Sequence, residues 1–222
     1  MPAEIIAVTQ QKGGVGKSTI AMHLGAAFHE KGKRVLVVDA DGQNTLIHWV
    51  SASADHDAGI PFPVVNLAEA GSNIHREIKK FINDYDLIIV DCPPSITEKI
   101  SGVVLLAATL AIIPTSSSPA DYWSSLGLIQ LIQQAQVMNE DLRAVFLLNK
   151  TEEKRMLTQE LKRQLQNNID FPLLKTQIPT REIYKQAMAL GQTVLQMKND
   201  RTAKLAALEI LACADEIAAL LP

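Results

Sequence analysis

Short runs of apolar, mostly β-branched residues recur along the chain, separated by stretches with helical spacing. The runs that predict strands are Ile5–Val8, Arg34–Val38, Leu87–Val90, Leu110–Pro114 and Ala144–Leu148, with a weaker one at Leu173–Ile178. Their apolar residues are continuous rather than alternating, which is typical of parallel strands covered on both faces. The pattern therefore predicts a doubly wound α/β fold, with helices on both faces of a mostly parallel sheet.

Helical spacing fills the gaps between these runs. The predicted helices are Thr19–Lys31, Ile74–Asn83, Ser124–Met138, Met156–Asn167, Arg181–Leu190 and Thr202–Leu221. The region Ser51–Gly71 contains prolines and glycines but little periodicity, so we expect a loop-rich connection with one short strand around Val64–Val65. Because the chain has no internal repeat, we expect residues 1–222 to form a single domain.

The composition is that of an ordinary globular protein, with 222 residues, 47% hydrophobic, 20% charged and a formal net charge of −3. No uninterrupted apolar stretch is long enough to span a bilayer, and the N-terminus lacks a signal pattern, so we expect the protein to stay in the cytoplasm. Its two cysteines, Cys92 and Cys213, lie far apart in apolar surroundings, which predicts buried free thiols.

A glycine-rich stretch, QQKGGVGKST from Gln10 to Thr19, lies between the first predicted strand and the first predicted helix. In this position successive backbone N–H groups can point at a polyphosphate, and the helix adds the partial positive charge of its N-terminus. Lys17 is expected to reach the β- and γ-phosphates, and the Ser18 hydroxyl to bind Mg²⁺. The residues of the predicted phosphate loop are Lys12, Gly13, Gly14, Val15, Gly16, Lys17, Ser18 and Thr19.

Three aspartates follow predicted strands, Asp39 and Asp41 after the second run and Asp91 after the third. Ligands of open α/β sheets gather beyond the carboxyl ends of the strands, so these carboxylates are candidates for the same site as the loop. Asp91 is placed to hold the Mg²⁺ shell through water. An aspartate after a strand can also cap a helix or a turn, and this alternative stays open for Asp41 and Asp91.

A second lysine stands beside the glycines: Lys12 precedes Gly13, while Gln11 occupies the place of the first glycine of the general phosphate loop. The motif Lys-Gly-Gly-x-Gly-Lys-Ser resembles the deviant Walker A motif of the ParA/MinD family of dimerising ATPases. The likeness extends from Ile5 to about Leu211. It looks closest to small plasmid-type ParA partition ATPases and their relatives that position organelles or protein clusters.

This resemblance implies ATP and Mg²⁺ as cofactors and a homodimer on ATP binding, in which Lys12 reaches the partner's nucleotide. The pair of Asp39 and Asp41 looks like the family's Walker A′ motif, which implies that Asp41 positions the attacking water while Asp39 helps the Mg²⁺ and loop geometry. The implied catalytic set is Lys12, Lys17 and Asp41, and the implied metal set is Ser18, Asp39 and Asp91.

The resemblance also assigns an adenine pocket to two later strand ends. One carries Asn149, whose amide has the donor and the acceptor needed to read the adenine edge. The other carries Pro179 and Thr180, for which loop chemistry alone is a sufficient explanation.

Charge is unevenly distributed, since Lys150 to Lys204 contain eleven basic against six acidic residues and residues 1–149 contain ten against fifteen. Family members hold either nucleoid DNA or a membrane. The last predicted helix carries only acids after Lys204, the wrong sign for anionic lipid, so we expect no membrane and favour non-specific duplex DNA. The candidate DNA contacts are Lys154, Arg155, Lys185 and Arg201, with a solvated mixed-charge surface as the alternative.

The hypothesis is an ATPase that positions a cargo: ATP closes the dimer on nucleoid DNA, and a ParB-like or other adaptor stimulates hydrolysis and release. Two alternatives stay open, a metabolic P-loop enzyme of the dethiobiotin-synthetase type and a MinD-like membrane-associated regulator. The nitrogenase iron protein shares the loop but needs two suitably placed cysteines, which Cys92 and Cys213 do not offer. The cargo stays open among a plasmid, a chromosome locus, a carboxysome-like body and a chemoreceptor cluster.

Overall fold

A seven-stranded parallel sheet lies at the centre of the computed structural model, which describes residues 2–53, 59–94, 99–116, 119–152, 163, 165 and 171–222. The strands are β1 (Glu4–Val8), β2 (Val35–Asp39), β3 (Val64–Asn66), β4 (Leu87–Asp91), β5 (Leu110–Thr115), β6 (Arg143–Thr151) and β7 (Ile178–Pro179). Their order across the sheet is β3-β2-β4-β1-β5-β6-β7. Every predicted run overlaps one of these strands, so the predicted parallel sheet is confirmed.

Helices connect the strands. They are α1 (Lys17–Glu30), α2 (Thr45–Ser51), α3 (Ile74–Lys79), α4 (Ile100–Leu105), α5 (Pro119–Met138), α6 (Ile183–Ala189) and α7 (Arg201–Ala218), and a 3₁₀ helix covers Ala68–Asn73. The predicted helix Met156–Asn167 lies almost wholly outside the described residues.

Two separate hydrophobic cores cover the two faces of the sheet. On β1, Ile6 and Val8 belong to the core that contains residues of α1 and α7, whereas Ile5 and Ala7 belong to the core that contains residues of α3, α4 and α5. Successive side chains of a strand point to opposite faces, so a continuous apolar run supplies both cores at once. The doubly wound α/β prediction is therefore confirmed.

Two short helices, α2 and α4, have no counterpart among the predicted elements. Each is only two turns or less, which is too short for a helical period to emerge from the apolar pattern. Helix α4 also has the apolar sequence ISGVVL, which carries no polar face to mark it as helical. Both helices owe their conformation to packing, since short helices have little stability of their own.

The boundaries of α5 differ from the prediction at its start. The helix begins at Pro119, five residues before the predicted Ser124. Proline suits the first position of a helix because its fixed φ is already helical and its missing N–H would have no partner there. The helix therefore extends towards the carboxyl end of β5, from which the chain has just emerged.

Both cysteines are buried free thiols, as predicted. Burial raises the pKa of Cys92 and of Cys213 to about 12, so neither thiol is ionised near neutral pH. Within the described residues, no helix combines the length and the apolar character that crossing a membrane requires.

The strand order reverses at β1, which lies between β4 and β5. Strands on one side of it continue to β2 and β3, and strands on the other side continue to β6 and β7. A crevice forms at such a switch point, outside the carboxyl ends of the strands. The loop that leaves β1 for α1 opens into this crevice, and it is the glycine-rich loop.

Candidate nucleotide-binding site

The glycine-rich loop ends in a helix start that is open to an anion. Gly16 precedes α1 with a φ of 95°, in the left-handed region, and no side chain in the described part of the chain caps the first N–H groups of the helix. The first turn contains no acidic residue. These free N–H groups and the dipole of α1 together favour a negatively charged group at this end.

The three glycines of the loop differ in how much free space lies beside them. A Cβ added at Gly13 or Gly14 would meet none of the described atoms within 4 Å, whereas a Cβ at Gly16 would collide with the amide of Asn149. Gly16 is therefore required both by its backbone conformation and by the close approach of β6. The other two glycines border open space, where a polyphosphate can approach the backbone.

Lys17 is buried beneath this loop, with only 7% of its surface exposed. Its Nζ lies 3.5 Å from the backbone oxygen of Lys12, so the ammonium is held inside the loop. Burial lowers the pKa of Lys17, and the charge of nearby Asp91 opposes this shift most strongly. A buried ammonium in this position can neutralise phosphate oxygens directly because little water screens it.

Asp91 ends β4 and is 1% exposed. Burial raises the pKa of this carboxyl to about 7, an effect that the Ser18 hydroxyl opposes and the charge of Asp39 adds to. Within the described part of the chain, neither carboxylate oxygen accepts a hydrogen bond of standard geometry, although both are buried. Buried oxygens are rarely left without a partner unless a water or an ion belongs there.

The residues of the site suit a bound Mg²⁺ ion. Asp91 offers uncommitted carboxylate oxygens, and Ser18 offers a hydroxyl beside them. No group of three or more His, Cys, Asp or Glu residues within the described ranges could hold a metal by itself. Mg²⁺ is commonly bound through one or two carboxylates together with water and substrate phosphates, and Asp91 and Ser18 supply ligands of this kind.

Asp39 and Asp41 have different surroundings. Asp39 is fully buried, and its two carboxylate oxygens accept from the N–H groups of Asp41, at 3.1 Å, and Leu46, at 2.9 Å. Burial raises the pKa of Asp39, although these backbone donors oppose the shift. Asp41 is half-buried, and its Oδ1 accepts from the N–H of Gln43 at 3.0 Å. Asp39 thus holds the loop on which Asp41 stands.

Sheet pairing brings these aspartates to one level. Asp91 on β4 is the register partner of Asp39 on β2 and of Val8 on β1. Neighbouring strands lie close to 5 Å apart, so the ends of three strands converge beside the phosphate loop. The structure therefore brings together the loop, Asp39, Asp41 and Asp91, as the sequence predicts, while their roles stay predictions.

A cavity of about 180 Å³ adjoins the start of α1. Its lining includes the predicted residues Thr19, Asn149, Pro179 and Thr180. It also includes Lys150, Arg181, Tyr184, Lys185 and Met188. The structure therefore joins the predicted base-binding residues in one pocket, next to the phosphate loop.

Gln10 is a loop residue with a contact that its sequence position does not predict. It is fully buried, and its side-chain Nε2 donates to Ser125 Oγ at 2.9 Å and to the Pro114 carbonyl at 3.4 Å. These bonds attach the start of the loop to β5 and α5. The sequence shows only that Gln10 is a polar residue near the end of an apolar strand. Its partners, Pro114 and Ser125, lie more than a hundred positions away in the sequence, so the sequence does not identify them.

The four candidate DNA contacts are not a single described cluster. Lys154 and Arg155 lie outside the described residues. Lys185 forms an ion pair of 3.0 Å with Glu182, one turn earlier in sequence. Arg201 is exposed at the first position of α7, next to the exposed side chains of Lys198 and Lys204.

The fold and this site together define a P-loop nucleotide-binding α/β domain. Residues 6–194 match the family described as the CobQ/CobB/MinD/ParA nucleotide binding domain. The chain belongs to this family, which confirms the resemblance to ParA/MinD proteins.

Two relatives and one solved structure are similar to this chain. It is 34% identical over 200 residues to "Maintenance of carboxysome distribution protein A" of Halothiobacillus neapolitanus, covering 86% of this chain and 87% of that one. It is 26% identical over 219 residues to "Chromosome-partitioning ATPase Soj" of Thermus thermophilus, again covering 86% and 87%. Cobyrinic acid a,c-diamide synthase from Mycobacterium smegmatis, solved with ADP and magnesium, has a TM-score of 0.71 at 22% identity, covering 97% and 94%. That last likeness concerns the fold alone, so the fold is shared by positioning proteins and a biosynthetic enzyme.

Proposed function

We propose that this protein is a positioning ATPase, which binds DNA as an ATP-bound dimer and leaves it when ATP is hydrolysed. The observation that carries the ATPase chemistry is the burial of Lys17 and Asp91 beside an anion-binding helix start, with both Asp91 carboxylate oxygens lacking a hydrogen-bond partner among the described residues. The positioning role is supported by the relative named for carboxysome distribution and by the chromosome-partitioning ATPase.

Phosphoryl transfer depends mainly on positioning and on neutralising charge. The N-terminal N–H groups of α1 and the Lys17 ammonium supply positive charge from within the protein. When bound, Mg²⁺ adds Lewis-acid charge to the phosphate oxygens, and Ser18 and Asp91 are the residues that would hold it. Asp39 contributes indirectly by keeping its neighbour Asp41 in place.

Asp41 is the residue that positions the attacking water in this proposal. It stands on a short loop whose N–H groups are bonded to Asp39, so its backbone is constrained. Its half-buried carboxylate can accept a hydrogen bond from a water on the open side of the site. A positioning role does not require a strong base, which suits an ordinary aspartate.

The pocket beside α1 is proposed to hold adenine. Asn149 uses one N–H to bond the Val15 carbonyl at 2.7 Å, and no other described residue occupies its second N–H or its Oδ1. An amide with one donor and one acceptor matches N7 and the N6 amino group of adenine, whereas guanine presents two acceptors along the same edge. Asn149 therefore favours ATP over GTP, and Pro179 and Thr180 complete the wall of the pocket.

The dimer is proposed to close over the exposed edge of the phosphate loop. Lys12 is exposed there, while its backbone oxygen lies near Lys17 within the same chain. Its position lets the ammonium reach the nucleotide of a second copy that packs against this edge. An adaptor of the ParB-like kind would stimulate hydrolysis by stabilising that closed arrangement.

DNA binding is proposed to use the basic surface at the start of α7, formed by Lys198, Arg201 and Lys204. Across the described residues, these three side chains form no ion pair, whereas Lys185 is paired with Glu182. Protein cations that neutralise phosphates release the counterions condensed on the DNA, so binding would be independent of sequence and strongly salt-dependent. A dimer would present two such surfaces to one duplex.

The test is retention of the purified protein on random-sequence duplex DNA with ATP, with ADP and without nucleotide, at low and moderate salt. We expect salt-sensitive retention with ATP only, and hydrolysis of ATP that is slow until an adaptor is added. The variant Asp41→Ala should bind ATP normally, hydrolyse it about 10²-fold more slowly, and stay on the DNA. Equal or absent retention in all three states would contradict the DNA-based function, and normal hydrolysis by Asp41→Ala would remove Asp41 from the mechanism.

A further inference from the structure

Strand β6 contains a bulge at Lys150. Its pairing with β7 joins Asn149 to Ile178 and then Thr151 to Pro179, so β6 has one extra residue at this point. Lys150 has a φ of 54°, in the left-handed region, and among the described residues other than glycine only Asn44 shares such a conformation. Bulges and left-handed residues near functional sites commonly re-aim a side chain.

The bulge lets two consecutive side chains reach the same loop. In a regular strand, neighbouring side chains point to opposite faces of the sheet. Here Asn149 Nδ2 donates to the Val15 carbonyl at 2.7 Å, and Lys150 Nζ donates to the Gly14 carbonyl at 2.6 Å. Two successive carbonyls of the phosphate loop are thus bonded by two successive residues of β6.

Lys150 also lines the cavity in which Asn149 and Pro179 lie. It therefore takes part in both halves of the candidate site: the residue lies in the wall of the base pocket, and its ammonium bonds the loop. Asn149 is almost fully buried, with 4% of its surface exposed, whereas Lys150 is exposed. A lysine that is open to solvent keeps several rotamers unless a neighbour restricts it.

We propose that Lys150 is a positioning residue that couples occupation of the base pocket to the geometry of the phosphate loop. A base that packs against the aliphatic part of Lys150 restricts its rotamers, which favours the bond from Nζ to the Gly14 carbonyl. That bond restrains the peptide beside Gly14, which has a φ of 78°, and so helps to keep the loop N–H groups aimed at the polyphosphate. The inference rests on the proposed function, since it requires a nucleotide to bind with its base in this pocket.

The test compares ATP with inorganic tripolyphosphate, which has the phosphates but no base. Binding of each ligand with Mg²⁺ is measured by calorimetry for the wild type, Lys150→Met, Lys150→Arg and the control Lys79→Met, an exposed lysine on α3. We expect Lys150→Met to weaken ATP binding about tenfold, the effect of losing one charge-assisted hydrogen bond, and to change tripolyphosphate binding by less than about twofold. Lys150→Arg, which keeps the charge and several donors, should retain most of the affinity for ATP.

Three results would overturn the proposal. An equal loss for both ligands would mean that Lys150 acts only through its charge, and no loss for either would mean that the bond is irrelevant. The third result concerns Lys150→Gly, which adopts the left-handed backbone easily but has no side chain. If this variant bound ATP as tightly as the wild type, the bulge would matter and the Lys150 side chain would not. Failure of the proposed function would be seen in a different experiment. A wild type that binds ATP but not DNA would contradict the positioning role, and its binding of ATP and tripolyphosphate could still be compared.

Discussion

The phosphate loop and the basic C-terminal third differ in how their charged groups are held. Lys17, Asp39 and Asp91 are buried. Sheet pairing places Asp39 and Asp91 side by side at the ends of β2 and β4, and Lys17 begins the helix that leaves β1. In the C-terminal third, by contrast, Arg181 is bonded to Glu209 and Lys185 to Glu182, while Arg201 is exposed without such a pair among the described residues. A motif at strand ends therefore predicts a site, whereas a count of surface charges does not identify which of them are available.

The last helix shows the same point for acidic residues. Glu209, Asp215 and Glu216 are the acids that made the C-terminal segment look negatively charged. In the structure each has a partner: Glu209 bonds Arg181, Asp215 bonds Lys31, and Glu216 accepts from the N–H groups of residues 175 and 176. The formal charge of α7 therefore overstates the negative charge that an approaching partner would meet.

The largest effect is expected from the buried side of this comparison. Lys17→Ala removes the ammonium held inside the loop and should reduce the rate of ATP hydrolysis at least about 10²- to 10³-fold, because charge stabilisation in a site shielded from water is strong. The measurement is steady-state release of phosphate at saturating ATP. Lys79→Ala serves as the control, and a Lys17→Ala protein with near-normal hydrolysis would contradict the assignment of the loop.

A second effect concerns Asp91 and pH. Its pKa is raised to about 7 in the folded protein, so between about pH 4 and pH 7 the folded state keeps a proton that the unfolded state releases. Relative to Asp91→Asn, the wild type should therefore lose stability as pH rises through this range, by on the order of 1 kcal/mol per pH unit, and should change no further above it. Urea unfolding of both proteins at intervals from pH 4 to pH 8, without Mg²⁺ or nucleotide, measures this difference.

His23 also changes the stability of both proteins with pH, in the opposite direction. Burial lowers its pKa to about 4, so protonation of the unfolded state makes both proteins gain stability as pH rises from about 4 to about 6.5. This contribution is common to the wild type and Asp91→Asn, and it cancels in their difference. A difference that does not depend on pH would show that the proton on Asp91 is not linked to folding.

The smallest effect is expected from the surface. The double variant Arg201→Ala, Lys204→Ala should weaken ATP-dependent DNA binding about tenfold at moderate salt and reduce the salt slope by about 1 for each phosphate that the protein no longer neutralises. Lys185→Ala should have a smaller effect because its ammonium is already paired with Glu182. Fluorescence anisotropy with random-sequence DNA at several salt concentrations measures both quantities, and equal losses in the two proteins would mean that internal pairing does not decide availability.

Much of the fold follows from the apolar pattern because buried parallel strands need continuous apolar runs. Runs such as Ile5–Val8 contribute residues to both cores, and each of these runs forms a strand as predicted. Helices α2 and α4 do not follow from it, since helices this short depend on packing against the sheet.

The sequence by itself determined the phosphate loop, the three aspartates and the doubly wound sheet, because each depends on residue type and on local spacing along one strand and its connection. Only the tertiary structure decided which polar groups meet across long separations: Gln10 with Ser125, Asn149 with Val15, and Lys150 with Gly14. The bulge at Lys150 interrupts the alternation of side chains between the two faces of the strand, so that Lys150 reaches the same loop as Asn149. Such contacts depend on register and on local backbone conformation, which residue types and spacing do not specify.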